Sequence, residues 1–335
     1  MTSPSAFQST ATSVSHTDSN SNRALVLGAT GGIGSVITQQ LLQQGWQVTA
    51  LKRDLSNVPS NSPIQWQQGD ALNQADVLNA SQGCQVIVHA VNPAGYRDWE
   101  TLVIPMLCST LHAAQHQQAC VVVPGNIYNF SAQAGTHINE DAPQQPTSKK
   151  GKVRVSMEQQ LEAFTQQGGQ CILLRCGDFF GPTSVSGWFE QGIAPKGITS
   201  KRLFTLAKRG VGHQWAYLPD VAETMMQLIL RREELPRFAR FHMNGHWDHD
   251  GTQMANTAAK VIADQRGHTP RLQAFPWWSI YVASAFNKTF KELLEMRYLW
   301  QYPLRMSNEK LVSLLGEEPH TPLEEAISAT LAPNR

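Results

Sequence analysis

Cysteine is scarce in this chain, and its spacing carries no pattern. Five cysteines are spread over 335 residues, and no two of them form a CxxC pair. An odd number of widely spaced thiols argues against the disulfide framework of a small secreted domain and against a zinc site built from cysteine pairs. We therefore expect a cytoplasmic protein with reduced thiols, at Cys84, Cys108, Cys120, Cys171 and Cys176.

An excess of charge of either sign is also missing. The chain has 27 Lys and Arg residues against 26 Asp and Glu residues, which gives a net charge of +1. Such a balance provides no general attraction to nucleic acid or to an anionic membrane, and no aromatic platform with interleaved positive charge is present for stacking bases. The sequence predicts a small-molecule substrate and no nucleic-acid partner. A homodimer is compatible with it.

Long hydrophobic runs are absent as well. The longest one, Phe275 to Phe286, is too short to cross a bilayer. We expect it to form a buried helix or a pocket wall, with no membrane contact. Residues 1–22 are rich in Ser and Thr and lack the apolar centre of a signal peptide, which predicts a disordered tail.

What the chain does have is an alternation of strand-like and helix-like segments. Helical periodicity lies between short apolar runs, which occupy residues 24–27, 48–51, 64–67, 86–89, 120–123 and 171–174. This alternation predicts an α/β fold, with a Rossmann-type doubly wound parallel sheet over residues 23–182. Residues 183–335 show a looser pattern and are predicted to form a smaller substrate-binding lobe at the carboxyl edge of the sheet.

A glycine-rich loop joins the first apolar run to the first helical pattern. It reads Gly28-Ala29-Thr30-Gly31-Gly32-Ile33-Gly34. Glycine permits a tight turn and lets backbone N–H groups approach a pyrophosphate, which the helix N-terminus favours electrostatically. The loop therefore predicts a dinucleotide site, contacted by Gly28, Thr30, Gly31, Gly32, Ile33 and Gly34.

The residues after the second apolar run indicate which dinucleotide is bound. An NAD site usually has a carboxylate at this point for the ribose 2′-hydroxyl, whereas a basic group accommodates the 2′-phosphate of NADP. Lys52 and Arg53 stand here, followed by Asp54. A guanidinium suits a phosphate through its fixed fork of donors. The sequence predicts NADP, with NAD as the alternative.

Together with later segments, this loop resembles the extended short-chain dehydrogenase/reductase family, the nucleotide-sugar epimerase and dehydratase group. The matching segments are Gly69-Asp70-Ala71, Val88-His89-Ala90-Val91, Ile127-Tyr128, Leu174 to Pro182 and Tyr217 to Ala222. The resemblance implies a Rossmann fold and an NAD(P)-dependent reaction. It also implies cofactor contacts at Asp70, Ala71, Ala90 and Val91.

The catalytic set of that family is not present at the matching positions. Pro124 stands where the family has Ser or Thr, while Lys150 and Arg154 stand where it has Tyr and Lys. Arg154 could keep the contact of the family's Lys to the nicotinamide ribose, but a guanidinium does not titrate at working pH. We therefore expect Arg154 to bind cofactor and another group to move the proton.

Two side chains are candidates for that proton transfer. Lys150 would gain acidity if it were desolvated beside Arg154, since both effects lower its pKa from the reference value of about 10.4. Tyr128 is a hydroxyl on a loop that should face the cofactor. For substrate contacts we expect Asn126, which could orient a carbonyl oxygen, together with Asp178 and Trp215.

Further patterns concern metals and helix ends. His242, His246, Asp248, His249 and Asp250 match no strong zinc spacing, and we expect a polar loop without metal. Asp220 is predicted to cap the N-terminus of a late helix. Thr321 to Glu324 has the form of a capping box.

These observations lead to three hypotheses about function. The first is an NAD(P)-dependent oxidoreductase of the extended short-chain type that acts on a small carbonyl or alcohol. The second is a nucleotide-sugar epimerase or dehydratase with a tightly held cofactor. The third is a catalytically silent NADPH-binding sensor or scaffold, which the missing catalytic set favours.

Overall fold

A parallel sheet forms the centre of the protein. The computed structural model describes residues 22–93, 98–184 and 187–332, so the predicted tail falls outside the described residues except for residue 22. Within that part of the chain, seven strands pair in parallel in the order β10-β6-β5-β4-β1-β2-β3. Their bounds are β1 Arg23–Leu27, β2 Gln47–Lys52, β3 Gln65–Gln68, β4 Val86–His89, β5 Cys120–Asn126, β6 Gln170–Cys176 and β10 Phe238–His242.

Helices cover both faces of this sheet. On one face lie α1 (Gly32–Gln43) and α5 (Leu218–Leu230), and on the other lie α2 (Gln74–Ala80), α3 (Trp99–Gln117) and α4 (Lys149–Gln166). Strands buried on both faces need continuous apolar runs rather than alternation, and β4 has such a run, Val86-Ile87-Val88, with each residue fully buried. The predicted doubly wound α/β fold is confirmed.

The later part of the chain builds a lobe with its own core. One small sheet contains β7 (Asp178–Phe180), β9 (His213–Tyr217) and β11 (His246–Asp248). A second small sheet contains β8 (Arg202–Thr205) and β12 (Arg271–Ala274). The helices of this part are α6 Gln253–Arg266, α7 Trp277–Ser284, α8 Lys288–Glu295, α9 Glu309–Leu315 and α10 Leu323–Leu331. The chain does not divide cleanly at residue 182, because α5 and β10 return to the central sheet.

Both predicted helix caps are wrong for one shared reason. Helix α5 begins at Leu218 with Tyr217 at its cap position, so Asp220 lies inside the first turn. Helix α10 begins at Leu323 after Pro322. The Asp220 carboxylate instead accepts hydrogen bonds from the backbone N–H of Thr321 (2.8 Å) and from its hydroxyl (2.6 Å). A contact between distant segments has replaced two local caps.

The apolar run at residues 275–286 is less buried than its composition predicts. In α7, Trp277 packs against Trp188 and its indole N–H donates to the carbonyl oxygen of Leu206. Trp278 is 72% exposed, and Phe286, just beyond the helix, is 88% exposed. Trp277 thus anchors one side of α7 to the protein, while the other side faces outward. No helix within the described residues has both the length and the apolar character to cross a membrane.

A buried ion pair ties α4 to the sheet. Arg175, on β6, is fully buried, and its Nε donates to Glu158 Oε1 at 2.8 Å while Nη2 donates to Oε2. Asn129 and Gln144 donate to the same carboxylate at 2.8 and 2.9 Å. Because both charges have several partners, the cost of removing them from water is offset.

His242 extends this pair to β10. Its Nε2 accepts from Arg175 Nη1 at 2.7 Å, and its Nδ1 donates to the carbonyl oxygen of Ile138 at 3.1 Å. Burial, with the charge of Arg175, lowers the pKa of His242 to about 3. The neutral imidazole therefore joins the network without adding charge.

We predict that Glu158→Gln and Arg175→Met each lower the free energy of unfolding by about 3–5 kcal/mol. The first leaves Arg175 buried without its carboxylate, and the second leaves Glu158 with only the longer ionic contact to Arg240, at 3.5 Å. Denaturant titration followed by circular dichroism measures this. The double variant should lose less than the sum of the two single losses.

Glu162→Gln, at an exposed position of the same helix, is the matched control and should change the free energy by less than about 0.5 kcal/mol. Additive losses for the Glu158 and Arg175 variants would contradict a coupled pair.

Candidate active site

A large cleft runs along the carboxyl ends of the central strands. Its volume is about 860 Å³, which lies in the range of ligand and cofactor sites. Most of the predicted site residues line it. They are Gly28, Thr30, Gly31, Gly32, Ile33, Lys52, Arg53, Asp70, Ala71, Ala90, Val91, Asn126, Tyr128, Arg154 and Asp178.

The glycine loop fits a dinucleotide phosphate group. Gly28 has a φ of +87°, and a Cβ there would lie 2.6 Å from the carbonyl oxygen of Ala90. A Cβ at Gly34 would lie 2.0 Å from the carbonyl oxygen of Gly28. Among the described residues, no side chain caps α1 at Gly31, and its first turn holds no acidic residue. The helix N-terminus is therefore open to an anion.

At the end of β2, the basic residues and the neighbouring acid have different surroundings. Lys52 Nζ lies 5.7 Å from the centre of the Trp66 ring, and Arg53 is exposed. The Asp54 carboxylate accepts from the backbone N–H of Ser56 at 2.8 Å and from its hydroxyl at 2.9 Å, and these bonds lower its pKa. Asp54 is thus hydrogen-bonded within its own turn, and it lines this end of the cleft together with the two cations.

The middle of the cleft is formed by the ends of β3 and β4. Asp70 Oδ1 accepts from the backbone N–H of Leu72 at 3.0 Å, which turns this side chain toward its own loop. The N–H of Ala90 donates to the carbonyl oxygen of Leu27 at 3.0 Å. These bonds bring Asp70, Ala71, Ala90 and Val91 together on the cleft wall.

Arg154 is held at the cleft from two sides. Its guanidinium lies 4.8 Å from the centre of the Trp99 ring, and Nη2 donates to Asn92 Oδ1 at 3.2 Å. Burial, and then the charge of Arg154, lowers the pKa of His89 on the neighbouring strand β4 to about 3. The structure therefore provides a fixed positive charge at the floor of the cleft next to a neutral histidine.

Lys150 has a different environment from Arg154, although both lie on α4. It is 93% buried, its Nζ lies 3.5 Å from Glu292 Oε2 of α8, and it does not appear among the side chains that line the described cleft. Burial lowers its pKa, while Glu292 partly offsets that effect. Lys150 therefore joins α4 to α8. Its Nζ also lies over the Trp99 ring, which Arg154 contacts as well.

Tyr128 begins a chain of hydrogen bonds that leads away from the cleft. Asn126 Oδ1 accepts from the Tyr128 N–H at 3.1 Å and so shapes the turn that presents the ring. The Tyr128 hydroxyl donates to Asp178 Oδ1 at 3.4 Å, and Asp178 Oδ2 lies 2.8 Å from His213 Nε2. His213 stacks on Trp300 with the ring centres 3.6 Å apart.

Besides Lys150, two predicted site residues do not line the cleft. Gly34 is inside α1 and does not line the cleft, although its missing side chain lets the loop close. Trp215 is 1% exposed and packs edge-on against Phe180, so it belongs to the lobe core and to a second, smaller cavity. Phe179 and Trp188 supply the aromatic lining of the cleft instead. In the β strand pattern His213, Trp215 and Tyr217 share one face, which is the signal that could have indicated a buried position for Trp215.

Comparison with known proteins agrees with this arrangement. The model of the NAD dependent epimerase/dehydratase family matches residues 24–242. Curated relatives include a Synechocystis protein named "Putative dihydroflavonol 4-reductase", 30% identical over 175 residues, which are 48% of this chain and 50% of that protein. The 2-alkyl-3-oxoalkanoate reductase of Shewanella oneidensis is 29% identical over 131 residues, 36% of this chain and 33% of that protein. The matches thus span half of these relatives or less.

Solved structures match over nearly the whole chain. The UDP-glucose 4-epimerase of Thermus thermophilus, in complex with NAD, has a TM-score of 0.69 at 20% identity and covers 92% of this chain and 97% of its own. The UDP-glucose 4-epimerase of Bifidobacterium longum, with NAD+ and UDP, has a TM-score of 0.70 at 13% identity and covers 93% and 99%. At this identity the likeness shows the fold.

Proposed function

The chain belongs to the NAD dependent epimerase/dehydratase family, and we propose that it is an oxidoreductase of that family that uses NADP(H) on a small carbonyl or alcohol. The observation that carries this proposal is that one cleft combines an uncapped glycine loop, a basic pair and a hydrogen-bonded tyrosine. Two curated relatives bear the names of reductases, which favours reduction over epimerisation.

The cofactor would lie with its pyrophosphate at the N-terminus of α1. Lys52 and Arg53 line the cleft and would hold a 2′-phosphate, with two positive charges against the one negative charge of Asp54 at the same end. Arg154 would hold the nicotinamide half of the cofactor from the floor of the cleft. When bound, a reduced nicotinamide supplies the hydride, and the side chains of this chain must supply the proton.

Tyr128 is the proton donor in this proposal. Its ring lines the cleft, whereas Lys150 is buried against Glu292 and Trp99. The oxygen of a carbonyl gains negative charge as the carbon accepts a hydride, so it takes the proton of the Tyr128 hydroxyl. In the structure this hydroxyl donates to Asp178 Oδ1, so it would turn toward the substrate oxygen to give up its proton, and water entering the cleft would return a proton to the phenolate.

His213 holds Asp178 in position beside Tyr128. Its Nδ1 lies 3.1 Å from the carbonyl oxygen of Leu299, which accepts only. Its Nε2 lies 2.8 Å from Asp178 Oδ2. The imidazole is thus fixed from both sides, by Leu299 and by Asp178.

The substrate we propose has an apolar or aromatic body. Trp99, Phe179 and Trp188 line the cleft near Tyr128 and Asn126. Such surfaces stabilise flat or alkyl groups by burial, while Asn126 and Tyr128 would orient the single carbonyl oxygen.

For the cofactor we predict that NADPH binds more tightly than NADH by about tenfold or more, because charge-assisted bonds to a phosphate contribute about 1.5–3 kcal/mol each. Titration calorimetry measures both affinities. Replacing Lys52 and Arg53 together with Ala should remove most of the difference and leave NADH binding nearly unchanged.

Lys201→Ala with Arg202→Ala changes an equally basic, exposed pair and should have no effect on this preference. Equal affinities for NADPH and NADH in the unmodified protein would contradict the NADP proposal and leave NAD as the cofactor.

For the proton donor we predict that Tyr128→Phe lowers kcat by roughly 10²–10⁴-fold with NADPH affinity unchanged, the usual contribution of a general acid. A screen of aromatic and alkyl ketones, followed by NADPH absorbance, identifies the substrate for this measurement. Lys150→Met and the exposed control Tyr302→Phe should keep kcat within a few-fold.

If Lys150→Met loses as much kcat as Tyr128→Phe, Tyr128 is not established as the proton donor. Either Lys150 donates the proton, or turnover depends on the position of α4. If NADPH binds but no ketone, aldehyde or nucleotide sugar is turned over, the sensor hypothesis replaces the enzyme.

A further inference from the structure

A second cluster of side chains able to bind a ligand lies in the lobe, outside the cleft. Asp220 of α5, His246 of β11 and His320, ahead of α10, each offer one ligand atom, and these atoms lie within 4.8 Å of one another. His246 is the one member that belongs to the histidine-rich segment for which the sequence predicts no metal. Asp220 lies 26 residues before His246 in the chain, and His320 lies 74 residues after it.

His246 supplies the observation that points to a ligand. Its side chain is 93% buried, and its Nε2 has no hydrogen-bond partner among the residues that the structure describes. A buried polar atom without a partner is unusual and calls for a bound water or ion. An imidazole nitrogen is a common metal ligand through its lone pair.

Asp220 is already held in position. Thr321 donates its N–H and its hydroxyl to the two carboxylate oxygens, at 2.8 and 2.6 Å. A carboxylate accepts at about four sites, so these bonds orient it and leave lone pairs for a cation, as outer partners of metal ligands do.

The hydrogen bonds from Thr321 to Asp220 also bring His320 into place. His320 precedes Thr321, and its ring centre lies 4.4 Å from that of His246. His320 is exposed. Both histidines line a cavity of about 240 Å³. Trp215 lines the same cavity, and its indole N–H also has no partner among the described residues. A cavity of this size has room for water.

We propose that Asp220, His246 and His320 bind one divalent transition-metal ion, Zn²⁺ by preference, with water from the cavity as a fourth ligand. Two imidazoles, one carboxylate and one water are a ligand set that zinc accepts. Three atoms no more than 4.8 Å apart all lie within about 2.8 Å of a common centre. Bonds from zinc to nitrogen or oxygen ligands are about 2.0–2.2 Å long. Each ligand atom therefore needs to move by less than about 1 Å to bind an ion at that centre. The ion fastens the start of α10 to α5 and β11.

The experiment uses the full chain, stripped with EDTA and dialysed, and titrates it with ZnCl2 in a calorimeter at pH 7.5. We expect one Zn²⁺ per chain with a Kd in the micromolar range or tighter, and a rise in Tm on adding the ion, since a ligand of the folded state stabilises it. Co²⁺ in place of Zn²⁺ should give the visible absorption of a tetrahedral site.

Two variants and one control decide the result. His246→Asn and His320→Asn should each weaken Zn²⁺ binding by at least about tenfold and abolish the Tm rise. His320 is exposed, so its replacement tests the ligand without a packing defect. His137→Asn, at another exposed histidine, should bind like the unmodified protein. No Zn²⁺ binding, or binding that survives both variants, would overturn the proposal.

Discussion

The buried contact between Glu158 and Arg175 is the constraint on which the site depends. It joins three segments that each present one functional group. Arg154 lies one helical turn before Glu158, Tyr128 precedes Asn129, which donates to the same carboxylate, and Asp178 lies three residues after Arg175. A desolvated ion pair tolerates little displacement, because its attraction must offset the cost of burial. The positions of Asp178, Tyr128 and Arg154 are therefore coupled through one core interaction.

Changes at the family's catalytic positions have a consistent physical meaning in this setting. Arg154 keeps a positive charge at the cleft floor, where Trp99 and Asn92 orient it. Lys150 has become part of the packing between α4 and α8, where it pairs with Glu292. The proton-transfer role is free to lie on the opposite wall, where Tyr128, Asp178 and His213 form a connected chain. In our proposal the fold is retained while proton transfer takes place at Tyr128 instead of on α4.

Local features of the sequence predicted what local physics controls. The glycine loop, the buried strands and the basic pair after β2 depend on neighbours within a few residues, and each lies where it was expected. Contacts between distant segments were not accessible. The bonds from Thr321 to Asp220 replaced two helix caps, and Asp178 meets His213 across two strands of a small sheet. Trp215 could have been placed from strand alternation, but its burial depends on Phe180 and Trp300.

The most direct test of this account is a crystal structure of the protein with NADPH and a bound ketone. We expect the pyrophosphate at the N-terminus of α1, the 2′-phosphate against Lys52 and Arg53, and the ketone oxygen within about 2.6–3.2 Å of the Tyr128 hydroxyl, the reach of a general acid. A ketone oxygen beside Lys150 Nζ, or a nicotinamide that lies away from both Arg154 and Tyr128, would contradict it.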